Sequence, residues 1–193
     1  LVERRERIQV AGRPVGMTLD ELVDALRDQR QQVAAWSLEA DGFDAIAGGL
    51  GKTFGRGIKA LKRARESRTD EDLHDWRKRV KYHWYHCRLL RELWPQMLMA
   101  RIHELDRLSD LLGDDHDLAV LNQTISDTPG PFGDAVGPFG DAATRAALRG
   151  RIEQRRRDLQ RQAFDLGHRV YAESAKRLTQ RFEAWWNVWH ATK

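Results

Sequence analysis

Apolar positions recur at helical spacing along most of the chain, and no segment alternates as a half-buried strand would. Leu19, Leu22, Val23, Leu26 and Val33 mark a first helix over 18–37, entered through the capping-box pattern Thr18-Leu-Asp-Glu21. Ahead of it, Gly12-Arg-Pro14-Val-Gly16 reads as a turn or linker behind a basic stub, Leu1 to Val10. A second helix is expected over 43–66 despite Gly48, Gly49, Gly51, Gly55 and Gly57. Glycines are costly inside a helix, so close packing or a kink is expected to favour them. A third helix starts at Thr69, with Asp70, Glu71 and Asp72 near its positive end, and runs to about Trp94 before Pro95. A fourth covers 97–112 and stops at Gly113, with a shorter one beginning at Asp114 or Asp117. Asp127 to Gly140 is a Pro/Gly loop, with Pro-Phe-Gly-Asp at 131–134 and again at 138–141, and 141–190 is helical again, broken near Gly150 or Gly167. The expected fold class is all-α.

Charge changes this picture from a fold to a function. The net charge is only +4, but its distribution is uneven. Lys52 to Arg65 holds six basic residues and no acid; His74 to Arg91 holds six Lys/Arg against Asp75; Glu104 to Asp117 holds six acids against Arg107. Clustered cations create a local field that attracts anions, where an ordinary solvated face would mix signs at i, i+4. At 100° per residue, His74, Arg77, Lys78, Lys81, Tyr85 and Arg88 share one narrow sector of the third helix. Trp76, Val80, Cys87, Leu90 and Trp94 gather opposite and are expected to pack inward, with His83 and Trp84 beside them. Arg56, Lys59, Lys62 and Arg63 form a similar stripe on the second helix, and antiparallel packing would let the two stripes line one groove. Arg grips phosphate oxygens bidentately, Lys supplies a point charge, and Tyr and His add donors. The face therefore suits a phosphate-rich polyanion. The arginines between Arg145 and Arg161 point in several directions and read mostly as solvated surface.

Other chemistry finds less support. Cys87 is the only cysteine, which excludes an internal disulfide and a two-Cys metal knuckle and fits a reducing cytoplasm. No apolar run is long enough to span a bilayer, and no signal peptide is visible. Beginning at Leu1 rather than Met, the sequence reads as a fragment, a processed product or part of a longer chain. His74-Asp75 and His116-Asp117 superficially resemble the pairs of metal phosphohydrolases, but neighbours on a helix diverge by about 100° and rarely chelate together. Gly51-Lys52-Thr53 lacks the glycine spacing and preceding strand of a phosphate loop. His83, His86, His103 and His168 read as packing or surface residues, and Asp114 to Asp117 as a helix start. No enzyme activity, metal or cofactor is expected. A nucleic-acid-binding protein is the stronger rival, although the stripe carries no Asn or Gln to read bases.

Two segments carry a family resemblance: Leu73-His74-Asp-Trp-Arg77-Lys78-Arg-Val-Lys81-Tyr-His-Trp-Tyr85, and Leu108-Ser-Asp-Leu-Leu112-Gly113-Asp-Asp-His-Asp117-Leu118-Ala-Val120. They resemble the CHAD family, the conserved-histidine α-helical domain. Phe54-Gly-Arg56-Gly-x-Lys59-Ala, Leu166-Gly167-His-Arg-Val-Tyr171-Ala-Glu and Trp185-Trp186 extend the likeness over about 43–190, mainly the second half of the domain. The resemblance implies paired four-helix bundles whose basic helices line a groove binding inorganic polyphosphate without catalysis. On that basis 1–42 is the end of a first bundle and 43–193 a four-helix bundle. The implied site is Arg56, Lys59, Arg63, His74, Arg77, Lys78, Lys81, Tyr85 and Arg88, in a cytoplasmic protein associated with polyphosphate granules. Trp84 stands where the family often has Arg. The first-half counterpart of the His-x-x-Arg helix is not visible, so it is expected upstream or on a second chain, as in a homo-oligomer.

Overall fold

The computed structural model describes residues 19–37, 40–127 and 139–192 of the chain. The Thr18 cap, the Gly12–Gly16 turn, the basic stub and most of the Pro/Gly loop lie outside the described residues. The chain divides into two compact units, Leu1–Asp41 and Gly42–Lys193. In the first unit one helix, α1 (Leu19–Ala34), opens with Asp20 and Glu21 in its first turn and buries no residue.

The second unit contains α2 (Asp44–Ser67), α3 (Asp70–Leu89), a 3-10 turn (Arg91–Leu93), α4 (Pro95–Asp127), α5 (Ala142–Val170) and α6 (Ala175–Ala191). All elements among the described residues are helical, and none of these helices is long and apolar enough to cross a membrane. Sequence neighbours pack pairwise, α2 on α3, α3 on α4 and α4 on α5, while α6 lies against α2 and the 3-10 turn. Short connections on either side of α3 force this antiparallel order on α2, α3 and α4. Between α2 and α3 the chain reverses at Arg68, whose φ of 52° is left-handed and whose N–H donates to the Ala64 carbonyl at 2.9 Å. Thr69 then caps α3 as expected, accepting from the Asp72 N–H at 3.3 Å. Asp141 and Ser174 cap α5 and α6 in the same way, at 2.7 and 3.3 Å.

The core is built from Phe54, Trp76, Leu98, Leu105, Leu108, Leu159, Leu178 and Phe182, all fully buried. Trp76 stacks on Phe164 with centroids 5.4 Å apart and planes 8° from parallel. Three glycines expected to end or break helices instead lie inside them. A Cβ at Gly167 would sit 2.5 Å from Trp76 Cζ2, so this glycine admits the indole rather than breaking α5. The break falls at Tyr171–Ser174, and Gly150, with nothing near it, also continues the helix. Gly113 lies within the single helix α4, where a Cβ would meet Arg77 Nη2 at 3.2 Å. A glycine costs a helix interior about 1 kcal/mol, and burial of Leu112 and Ala119 on the same helix outweighs it. Asp114 to Asp117 is therefore no helix start. Conversely, α3 ends at Leu89, earlier than its periodicity suggests, and Trp94 is exposed rather than inward-facing.

Candidate functional site

On α3 the inward row is Leu73, Trp76, Val80, His83 and Cys87, all buried as the wheel requires, His83 included. This row leaves two flanks, one toward α2 and one toward α4. They carry different electrostatics.

Toward α2 the cations are matched by acids. Arg63 donates to Asp72 and Asp75, each at 2.6 Å. Asp75 also receives Arg79 at 3.1 Å and Lys78 at 3.5 Å. Burial acts to raise the Asp75 pKa, but the Arg79 charge, the Arg63 hydrogen bond and Lys78 outweigh it, and its carboxyl lies below the ordinary range. Asp72 is held low by Ser67 and Arg63. Arg63 is thus a bracket between α2 and the start of α3 rather than a free cation. Lys59 and Arg56, one and two turns back on α2, are exposed and have no ion pair among the described residues. The two stripes accordingly meet over shared carboxylates, and a single uniformly basic groove does not form between them.

Toward α4 the His74–Arg88 sector is graded from inside to outside. Arg77 is half-buried, lies over Gly113, and donates through Nε to the Ser109 carbonyl at 3.3 Å. His74 faces His116 of α4 with ring centroids 4.9 Å apart, and its buried Nδ1 makes no hydrogen bond among the described residues. Burial lowers the His74 pKa, and His116, Lys78 and Arg77 lower it further against the opposing pull of Asp75. Farther out, Trp84 organises the remaining charges. Arg88 lies 4.6 Å and Lys81 5.9 Å from the centre of its ring, and Tyr85 packs edge-on at 5.0 Å. Lys81 and Arg88 have no ion pair among the described residues. The residue that replaces an expected cation therefore positions two others.

Several paired groups escaped sequence reasoning. Asp115 is buried and accepts from Arg156 Nε and Gln160 Nε2, each at 3.0 Å, while Arg156 also pairs with Asp70. Arg156 is thus no solvated arginine. Arg79, outside the wheel sector, belongs to the Asp75 cluster. The only sequence sign of such pairing is a charge among apolar positions, as with Asp115 between Leu112 and Ala119. No group of three or more His, Cys, Asp or Glu that could hold a metal occurs among the described residues.

No curated protein matches the chain. No solved structure does either. The CHAD domain family model matches residues 3–126. This span adds the residues ahead of α2 to those carrying the resemblance, and it ends within α4, short of the Leu166–Glu173 and Trp185-Trp186 segments. It includes both segments on which the resemblance mainly rests, and at well over half of the chain it shows the family. The chain belongs to the CHAD domain family.

Proposed function

We propose that this protein binds inorganic polyphosphate, without catalysis, over the outward face of α3 and the adjoining face of α2. The observation carrying this reading is that Lys81 and Arg88 on α3, and Arg56 and Lys59 on α2, are left without acidic partners among the described residues. Neighbouring cations on the same two helices, Arg63, Lys78 and Arg79, are paired. Unmatched like charges repel one another, and a row of phosphates spaced along a chain relieves that repulsion at several points together. Tyr85 and Lys78 sit among these cations as additional donors. Arg77 and His74, anchored on α4, supply a fixed inner edge, and Arg63 acts by holding α2 against α3.

The face lacks the amide side chains used to read bases, which favours a bare phosphate chain over DNA or RNA. Competition tests this: long-chain polyphosphate is expected to displace single- or double-stranded DNA of equal charge, with affinity falling as salt rises. Equal or tighter binding of DNA overturns the preference. Lys81→Glu with Arg88→Glu alters only side chains outside the core, so helicity should persist. The salt slope should fall by about one for each phosphate that is no longer neutralised. An unchanged slope removes this face from the site. Metal-dependent release of phosphate from polyphosphate by the purified protein would overturn the non-catalytic reading.

A further inference from the structure

A second concave site lies on the other flank of α4, away from Ser109, Gly113 and His116, which face α3. It is a cleft of about 420 Å³ formed by α4, the end of α5 and α6, within the size range of small-molecule sites. Its wall combines an apolar floor of Met97, Leu166, Val170 and Trp185 with Arg101, Arg107, Arg169 and Arg181. Two carboxylates oppose these four guanidinium groups: Glu104 on the wall and Glu173 beside it.

The inner pair is the informative one. Arg101 is mostly buried, donating to His83 Nε2 and to the Val170 carbonyl, both at 3.0 Å, and lying 3.9 Å from Glu173. Arg181 pairs with the same Glu173 and lies 5.2 Å from the centre of the Trp185 ring. Two guanidinium groups thus share one carboxylate in a partly dry setting, and Arg181 Nε is buried without a hydrogen bond among the described residues. Arg101 is the more buried of the two and the Arg181 side chain is 39% exposed, so the single carboxylate leaves a positive excess that faces the cleft and attracts an anion. Burial pushes the Arg101 pKa below its ordinary value, and the Arg181 charge adds to this. At the rim, Arg107 and Arg169 are exposed and without ion pairs among the described residues.

We propose that this cleft binds a small amphiphilic anion, a phosphate or carboxylate head held by Arg181 and the rim arginines, with an aliphatic or aromatic body on Trp185, Leu166 and Val170. A polyphosphate chain would leave that apolar floor unused, so this site goes beyond the face on α3. None of its lining residues belongs to that face.

Calorimetric titration of the full chain with phenyl phosphate and with octanoate tests the proposal, with inorganic phosphate and phenol as controls. One of the two amphiphiles is expected to bind with one-to-one stoichiometry at least about tenfold more tightly than either control. Binding by phenyl phosphate identifies an aromatic phosphate as the ligand class, and binding by octanoate an aliphatic carboxylate. Arg107→Glu with Arg169→Glu alters exposed residues only, so the protein should keep its helicity while losing about tenfold in affinity for the amphiphile. Absence of saturable binding by both amphiphiles overturns the proposal. So does inorganic phosphate binding as tightly as phenyl phosphate, or an unchanged affinity in the folded double variant.

Discussion

At Gly57 the absence of a side chain lets the Tyr171 ring lie against α2, because a Cβ there would stand 2.5 Å from Tyr171 Cε1. The ring is fixed by Phe54, 5.0 Å away, and its hydroxyl is buried, so it has no room to yield. Gly57→Ala should cost about 1–3 kcal/mol through this overlap. Gly48, in the same run, meets nothing within 4 Å, and Gly48→Ala should stabilise by about 0.5–1 kcal/mol through helix propensity alone. Urea denaturation of the two variants checks the opposed signs; effects of the same sign would show that overlap with Tyr171 is not what distinguishes them. The sequence makes the glycine run conspicuous and raises close packing as a reason for it. Which glycine meets a neighbour depends on α5 and α6, about a hundred positions later in the chain, and no local pattern contains that.

Among the helices, one partly buried charged tie fastens α4 to α5 and to the start of α3. Asp115 is almost wholly buried, and the Arg156 side chain is 16% exposed while it bridges Asp115 and Asp70. Removing Asp115 leaves the Arg156 charge with only the exposed Asp70 carboxylate to meet it. Asp115→Ala is therefore expected to destabilise by about 3–5 kcal/mol, and adding Arg156→Met should recover part of the loss because the stranded cation is gone. Thermal and denaturant unfolding of the single and double variants test this, and a double variant no more stable than Asp115→Ala would deny the stranded-charge cause. At this scale α3 was legible in advance for its cap, its buried row and the sector from His74 to Arg88. The wheel could not assign that sector's members to roles. Arg77 became an anchor because Gly113 opens α4 beneath it, whereas Lys81 and Arg88 stayed outside on Trp84.

For the whole molecule, acid stability is expected to depend on the imidazole between α2 and α4. His83 is fully buried, accepts from Arg101 and packs edge-on against Phe54 at 4.9 Å. Burial, then the charges of Arg101, His86 and Arg181, hold its pKa well below the ordinary value. A depressed folded pKa means that the unfolded chain takes up the proton first as pH falls. Its stability contribution is complete above the unfolded value of about 6.5 and is lost progressively below it. His74 and His86, also lowered, act in the same direction, while Asp72 and Asp75 add a second loss below about pH 4. His83→Gln, which keeps an acceptor for Arg101, should flatten the fall between about pH 6.5 and 5 by up to about 1.4 kcal/mol per pH unit. Denaturant midpoints across that range measure it, and an unaltered slope would assign the loss to other groups. Cys87, raised to about 11 mainly by burial, stays a neutral thiol throughout.

The amino-acid sequence alone determined the helical class, the start of α3 at Thr69, its buried row and its basic sector, because capping and periodicity involve residues at most a few positions apart. It also contained the two motifs of the family. The tertiary structure decided which charges are neutralised, Arg63 by Asp72 and Asp75 and Arg156 by Asp115, and it left Arg101 and Arg181 sharing a single Glu173. It likewise carried α4 straight through Gly113 and α5 through Gly167. The physical reason is one of range. Electrostatic pairing and side-chain overlap act over a few ångströms between helices that lie far apart in sequence, so the free cations are known only once the helices are packed.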